Sequence, residues 1–421
     1  MTTLGAFLAL LFVGAPIGIV LALSAAAYVV ASGNPLLFAS YPSQLFAGVD
    51  NYGLLAIPLF LLLGEIMNGG GITQRLVGMA KALIGTLRGG LAYINVIANM
   101  MMASILGSAA AQIAIMAKVM VPEMDKEGYD RRFSVATTAA AGLLSPIIPP
   151  SMMFVVYGVL ARVSIGDMFV AGIIPGLMMG GSFILVIYVM GLVNPYPAPA
   201  RLTLRERWIK FRGGFVTLSI PAVIIGSIVS GIATATESAA VACVAAYAIG
   251  RFVTREFRHR DLPGMFAAAG RNSAVVLFMV ATANVFGWVL IYGQVPQAVS
   301  VWIQQVADGP VSFMLLVNVL LLAIGTVIDG IPGLIMVVPI LLPIATEVYG
   351  IDPVHFGVVV SINLVLGLVS PPVGIALFVA AAVTKMKPGD IFVAAIPYCL
   401  ATCVVLVLLS IYPWFTLALV R

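Results

Sequence analysis

Charge is scarce in this sequence: Asp, Glu, Lys and Arg together make up 9% of 421 residues, against 62% hydrophobic, where soluble domains carry about 25% charged residues. Mean hydropathy is +1.14. So few charges exclude a soluble protein, and the apolar runs at 4 to 30, 168 to 193, 214 to 233, 264 to 292 and 390 to 420 each meet the ~20-residue requirement of a membrane span. Cysteine is nearly absent. Cys243, Cys399 and Cys403 lie in apolar stretches without CxxC spacing or a nearby His, which excludes a metal or redox site and makes them packing residues. There are two histidines, His259 in a basic loop and His355 at a helix start. With neither HExxH nor GxSxG present, no enzyme site is apparent. Gly69-Gly70-Gly71 is not followed by Gly-Lys-Ser/Thr, so the chain hydrolyses no ATP itself and draws its energy from an ion gradient or a partner. No Lys or Arg precedes Arg75. The first apolar run therefore lacks the basic n-region of a signal peptide and reads as a permanent helix. The net charge of +5 does not mark a nucleic-acid partner, because the basic residues sit between spans.

Those basic residues cluster at Arg75, Lys81 and Arg88, at Lys126, Arg131 and Arg132, at Arg201 to Arg212, at Arg251 to Arg260, and at Lys385 and Lys387. The positive-inside rule puts these clusters in the cytoplasm. Residues 31 to 52, 293 to 311 and 344 to 356 contain no Lys or Arg and carry Asp50, Asp308, Glu347 and Asp352, so they face the periplasm. Residues 90 to 122 are apolar with basic clusters at both ends. Both ends then lie on one side, and the segment is a re-entrant helical hairpin turning near Ala103 to Ser108, tolerable only inside protein or along a cavity. Residues 311 to 348 form a second hairpin, turning near Gly325 to Pro332 and entering from the periplasm.

The hairpins belong to an internal repeat. Gly142-Leu-Leu-Ser-Pro-Ile-Ile-Pro-Pro, followed by Gly166-Asp-Met-Phe-Val-Ala-Gly-Ile-Ile-Pro175, matches Gly367-Leu-Val-Ser-Pro-Pro, followed by Gly389-Asp-Ile-Phe-Val-Ala-Ala-Ile-Pro397. The same offset pairs Gly107 with Gly330 and Phe133 with Phe356. Equivalent positions carry opposite loop charge, so the copies are inverted and an unmatched span supplies the flip. The fold class is an all-α polytopic membrane protein of two inverted repeats. Residues 1–193 form the first, with hairpin 90–122 and broken helix 131–161. Residues 194–233 are a cytoplasmic amphipathic arm plus a linking span. Residues 234–421 form the second, with hairpin 311–348 and broken helix 354–384. Roughly nine crossings plus two hairpins place the amino terminus in the cytoplasm and the carboxyl terminus in the periplasm of an inner membrane.

Each copy breaks a helix with proline, at Ser145-Pro146-Ile147-Ile148-Pro149-Pro150 and at Ser370-Pro371-Pro372. Proline removes a donor and frees carbonyls. At mid-membrane, such carbonyls coordinate cations and half-helix amino termini favour anions; the alternative is a simple kink. The hairpin tips add Ser104, Gly107 and Ser108 in the first copy, and Gly325, Thr326, Asp329 and Gly330 in the second. Hydroxyl and carbonyl oxygens suit a hard cation such as sodium. Asp329 is the sharpest of these, an acid inside a membrane hairpin, whose structural alternative is a helix cap. Glu237 reads as a helix-opening acid, and Glu65 with Asn68 as a helix end that snorkels to the cytoplasmic face. The amphipathic stretches Ile72 to Arg88 and Arg201 to Arg212 read as surface helices that brace a moving domain, or as ordinary basic loops.

Taken together, Ile57-Pro-Leu-Phe-Leu-Leu-Leu-Gly-Glu-Ile-Met-Asn68, Leu87-Arg-Gly-Gly-Leu-Ala92, Ile148-Pro-Pro-Ser151, Ala171-Gly-Ile-Ile-Pro-Gly176, Thr236-Glu-Ser-Ala-Ala-Val241, Val338-Pro-Ile-Leu-Leu-Pro343 and Ser370-Pro-Pro-Val-Gly374 resemble one family from end to end. It is the large membrane subunit of tripartite ATP-independent periplasmic (TRAP) transporters, the DctM/SiaM type. The resemblance implies a sodium-driven, elevator-type importer of organic acids with two partners, a small four-helix membrane subunit and a soluble periplasmic substrate-binding protein. It implies sodium near Ser104, Gly107, Ser145 and Pro146, and near Gly325, Thr326, Asp329 and Ser370. The carboxylate substrate would lie between them, near Ser108, Pro149, Ser151, Gly330, Pro371 and Gly374. Two other readings stay open: a single-component sodium/carboxylate symporter of the divalent-anion type, and a channel or non-transporting scaffold.

Overall fold

The computed structural model describes residues 2–68, 72–84, 89–193, 196–197, 203–254 and 259–421. The glycine run 69–71 and the basic residues Arg88, Arg201, Arg255 and Arg258 lie outside these. Every regular element among the described residues is a helix. The chain opens with α1 (Thr2–Phe12) and α2 (Ile17–Ser32), which divide the single first helix expected over 4 to 30. Pro16 lacks the N–H that the carbonyl of Phe12 would accept, so the helix stops and restarts. Helix α3 (Pro35–Val49) and α4 (Ala56–Asn68) follow, bent by 55° across their junction. A short amphipathic α5 (Ile72–Ile84) leads to α6 (Gly90–Leu106), α7 (Ala109–Lys126), α8 (Arg131–Gly142), α9 (Met152–Ala161) and α10 (Ile165–Val193).

Next come α11 (Leu204–Val229), α12 (Ala235–Ala248), α13 (Leu262–Tyr292) and a second short amphipathic helix, α14 (Val295–Gln304). The chain then repeats its first half in α15 (Pro310–Gly325), α16 (Gly330–Pro343), α17 (Pro353–Gly367), α18 (Ile375–Thr384) and α19 (Pro388–Ile411), ending in α20 (Trp414–Leu417). Among the described residues, six helical stretches are long and apolar enough to cross a membrane, and the bent α3–α4 pair makes a seventh. The protein is a multi-pass membrane protein.

The described part of the amphipathic arm expected at 201 to 212 and the linking span after it form one helix, α11, from Leu204 onward. A capping box starts this helix, with Glu206 N–H donating to Thr203 Oγ1 and Thr203 N–H donating back to the Glu206 carboxylate. The helix then runs without interruption into the bilayer. Its first turns lie along α5, where the Arg207 guanidinium donates to the Ala82 and Leu83 carbonyls and satisfies the carboxyl-terminal end of α5.

Contacts at helix ends establish how the copies run. At the start of α8, Arg131 Nη2 donates to the Thr384 carbonyl at the end of α18, 2.9 Å away, and near the end of α9 the Tyr157 hydroxyl donates to the Pro353 carbonyl at the start of α17. The two broken helices are therefore antiparallel, as an inverted repeat requires. The bases of each hairpin also meet. Gly89 N–H donates to the Pro197 carbonyl at 3.3 Å, and Tyr196 beside it stacks on Tyr129, which follows α7. Burial pushes the Tyr129 phenol up to about 12. In the second copy the Tyr349 hydroxyl donates to the Ala307 carbonyl at 2.9 Å, and Tyr349 stacks on Phe313 at 4.5 Å.

Inside the first hairpin a ladder of amides spans three helices. Asn95 Nδ2 donates to Thr138 Oγ1 (2.7 Å), Asn99 Nδ2 to Asn95 Oδ1 (2.9 Å) and Gln112 Nε2 to Asn99 Oδ1 (2.9 Å), all fully buried. It staples α6, α7 and α8 together. Asn99→Leu leaves one amide oxygen and one amide proton unpaired, and is expected to destabilise the protein by about 2 kcal/mol. Thermal unfolding in detergent measures this, and an unchanged midpoint would show the ladder to be dispensable. The helices α2, α3, α4, α12 and α13 pack on one another as a frame, whose α4 touches the first hairpin at α6 and whose α13 touches the second at α16.

Candidate functional site

The first tip is built by Gly107, which takes the left-handed conformation (φ +62) that closes α6. Ser108 then caps α7, its Oγ accepting from Ala111 N–H at 3.5 Å. The second tip runs from Thr326 to Asp329, where Asp329 caps α16 and its Oδ1 accepts from Gly330 N–H at 2.8 Å. Capping aligns Ser108 with Asp329. The sequence pairing of Gly107 with Gly330 is thereby shifted, since Gly107 ends one helix and Gly330 opens the other. Ser104 and Thr326 turn their hydroxyls back to the carbonyls of Met101 and Ala323, each at 2.8 Å.

The two proline breaks differ in their surroundings. The first, from Leu143 to Ser151, is buried almost throughout. Ser151 caps α9 and donates to the Pro146 carbonyl, while Ser145 Oγ is fully buried with no hydrogen-bond partner among the described residues. Pro149, four residues on, also deprives the Ser145 carbonyl of its helical donor. In the second break Ser370 Oγ is satisfied by the Leu366 carbonyl at 3.1 Å, and Pro371 and Pro372 are exposed. Gly374 N–H donates to the Thr326 carbonyl at 2.9 Å and so ties this break to its own tip. Both breaks contain a cis Pro–Pro bond.

The tips converge. A Cβ on Gly107 would stand 3.3 Å from Met152, and one on Gly330 would stand 3.1 Å from Met153, so both tips abut the start of α9. Between them and the frame lies a cleft of ≈ 430 Å³, walled by Gly107, Ser108, Pro150 and Asp329 on the hairpin side and by α4 and α13 on the other. Of the residues predicted from sequence, the structure brings Gly107, Ser108 and Asp329 to this cleft. Pro149 and Ser151 flank the lining residue Pro150, and Gly330 sits beside Asp329. Ser145 and Pro146 lie deeper in the first break. Ser370, Pro371, Gly374, Gly325 and Thr326 sit around the second break and do not line the cleft. A larger space of ≈ 860 Å³ lies elsewhere, among the α9–α10 and α11–α12 connections, and holds none of the predicted residues.

Asn68 ends α4 as expected, and with Glu65 it also lines the cleft, where Asn272 of α13, which the sequence did not single out, joins them. They escaped notice because only the packing of α4 against α13 shows which face of each helix is open. Glu237 keeps its structural role, its carboxylate accepting from Thr234 N–H at 2.8 Å in a capping box. Glu65 and Asp329 are the only charged side chains lining the cleft among the described residues.

Comparison with known proteins agrees with this architecture. Residues 4–415 match the family model described as the DctM component of the tripartite ATP-independent periplasmic transporter. The chain is 38% identical over 376 residues to the C4-dicarboxylate TRAP transporter large permease protein DctM of Pseudomonas aeruginosa, covering 89% of this chain and 88% of that one. It is 35% identical over 414 residues to the sialic acid TRAP transporter large permease protein SiaM of Vibrio cholerae, covering 98% and 96%. It is 37% identical over 369 residues to the 2,3-diketo-L-gulonate TRAP transporter large permease protein YiaN of Escherichia coli, covering 88% and 87%. Among solved structures, the YdaH transporter of Alcanivorax borkumensis superimposes with a TM-score of 0.66 at 15% identity, over 90% of this chain and 88% of that one, and shares the fold. The chain is thus a transporter permease and not an enzyme, and it belongs to the DctM family of TRAP transporter large membrane components.

Proposed function

We propose that this protein imports an organic acid across the inner membrane, driven by sodium and by an elevator-type displacement of the hairpin domain against the frame. Its partners are a small four-helix membrane subunit and a soluble periplasmic binding protein that delivers the carboxylate. The amino terminus is cytoplasmic and the carboxyl terminus periplasmic, in keeping with the basic loops. The observation that carries this reading is the convergence of both re-entrant tips on one cleft bordered by α4 and α13 of the frame. Related permeases are named for a C4-dicarboxylate, a sialic acid and a diketo acid, which supports a carboxylate as substrate.

Sodium is a transported ion here. Ser145 supplies a buried hydroxyl without a partner and a carbonyl that proline leaves without a helical donor, both oxygen ligands of the kind a hard cation takes. The amino termini of α7 and α9, capped by Ser108 and Ser151, favour the substrate's negative charge. Reconstitution with both partners tests the whole reading: uptake should require a sodium gradient, the small subunit and the binding protein. Transport by the chain alone would instead favour a single-component symporter, and flux indifferent to sodium would favour a channel. Ser145→Ala removes one oxygen ligand, about 1 kcal/mol or more, and should raise the sodium concentration for half-maximal uptake roughly fivefold. An unchanged sodium dependence would take Ser145 out of the ion site.

A further inference from the structure

We infer that Asn272 reads the end of the transported acid remote from its carboxylate, from the frame side of the cleft; this rests on the reading of that cleft as the substrate site. Asn272 lies ten residues into α13, about 15 Å along a helix of roughly 46 Å, and is followed by Val275, Val276 and Met279 on the same lining face. Asn95, Asn99, Asn284, Asn318 and Asn363, which also lie in apolar helices, all donate from their amides to protein acceptors. Asn272 is exposed at the cleft, and its side-chain amide makes no hydrogen bond to any described residue. Its amide is therefore available to a group that enters the cleft.

Charge places the substrate's two ends. No Lys or Arg lines the cleft among the described residues, and on the frame side the Glu65 carboxylate repels another carboxylate. The acid group is therefore drawn to Ser108 and the amino-terminal ends of α7 and α9, on the hairpin side. Its remaining polar groups face α13. There an asparagine can both donate and accept, so hydroxyl, carbonyl and carboxylate tails are all legible to it. A site built to hydrogen-bond such a group disfavours an acid that lacks it.

The test measures thermal midpoints of the purified protein in sodium against increasing succinate, sialic acid or 2,3-diketo-L-gulonate, three acids that differ beyond one carboxylate. Asn272→Ala is expected to change the ratios of their half-effective concentrations by about 10-fold, with the shift caused by sodium alone unaltered. Asn272→Gln should restore part of the original order, and Ser108→Ala should weaken all three alike. Ratios within about twofold of wild type in Asn272→Ala, or a uniform loss across the three acids, overturn the inference. A wild-type midpoint that responds to none of the acids in sodium removes the cleft reading itself, and this inference with it.

Discussion

Asp329→Asn is expected to lower sodium-dependent uptake about 100-fold while leaving the protein folded. The structure gives Asp329 two duties, since it caps α16 through Gly330 N–H and presents its carboxylate to the cleft between the tips and the frame. Asparagine caps a helix as well as aspartate does, so the substitution separates the duties by removing only the charge. A unit charge about 4 Å from a cation contributes about 4 kcal/mol at an effective dielectric of 20. Desolvation offsets part of this, and a remainder of about 2.7 kcal/mol corresponds to roughly 100-fold. Asp329→Ala removes the cap too and should lose about 1 kcal/mol of stability besides. Uptake in reconstituted vesicles and thermal midpoints together distinguish the outcomes. If Asp329→Asn keeps more than half of wild-type uptake with the same sodium dependence, Asp329 is only a cap.

The largest effect on folding should come from Gly367→Ala. Where α17 ends and the second break begins, a Cβ on Gly367 would lie 2.3 Å from the Gly325 carbonyl carbon and 2.5 Å from its Cα. Here backbone rests on backbone, as small residues permit between membrane helices, and no side chain can turn aside. The alanine must push α15 off α17, at a cost above the usual 1–3 kcal/mol of overpacking, and it would disturb the tip held by the Gly374–Thr326 bond. Gly142, at the corresponding end of α8, provides the comparison. Its added Cβ would meet Ile113 Cγ1 at 2.3 Å, the side chain of a residue that can be trimmed. Gly142→Ala should therefore be substantially rescued by Ile113→Ala, whereas Gly325, having no side chain to remove, offers Gly367→Ala no equivalent. Detergent stability of the three variants checks this. A Gly367→Ala protein with a wild-type midpoint would mean that the helices separate without penalty.

Much of this architecture was legible from local chemistry. The hairpins, the two Ser-Pro breaks and their inversion followed from where charge is missing and where proline recurs, because the bilayer leaves few ways to satisfy a backbone. The first apolar run was misread as one helix, although Pro16 marks its division. That the amphipathic arm and the linking span share one helix from Leu204 was not legible, because a basic segment can begin a span as readily as lie on the surface. Glu65 and Asn68 were read as a helix end, which they are, while their place in the cleft wall was not legible.

The sequence by itself determined the membrane class, the family, the repeats, and that Asp329 and Ser145 belong to helix breaks. Only the tertiary structure decided that both tips meet at the start of α9, that the second break lies outside the cleft, and that Asn272 completes its wall. The physical reason is range. Helix breaks and spans are set by residues a few positions apart, whereas the cleft is a gap left among α4, α13 and two hairpins, and packing alone determines which faces border it.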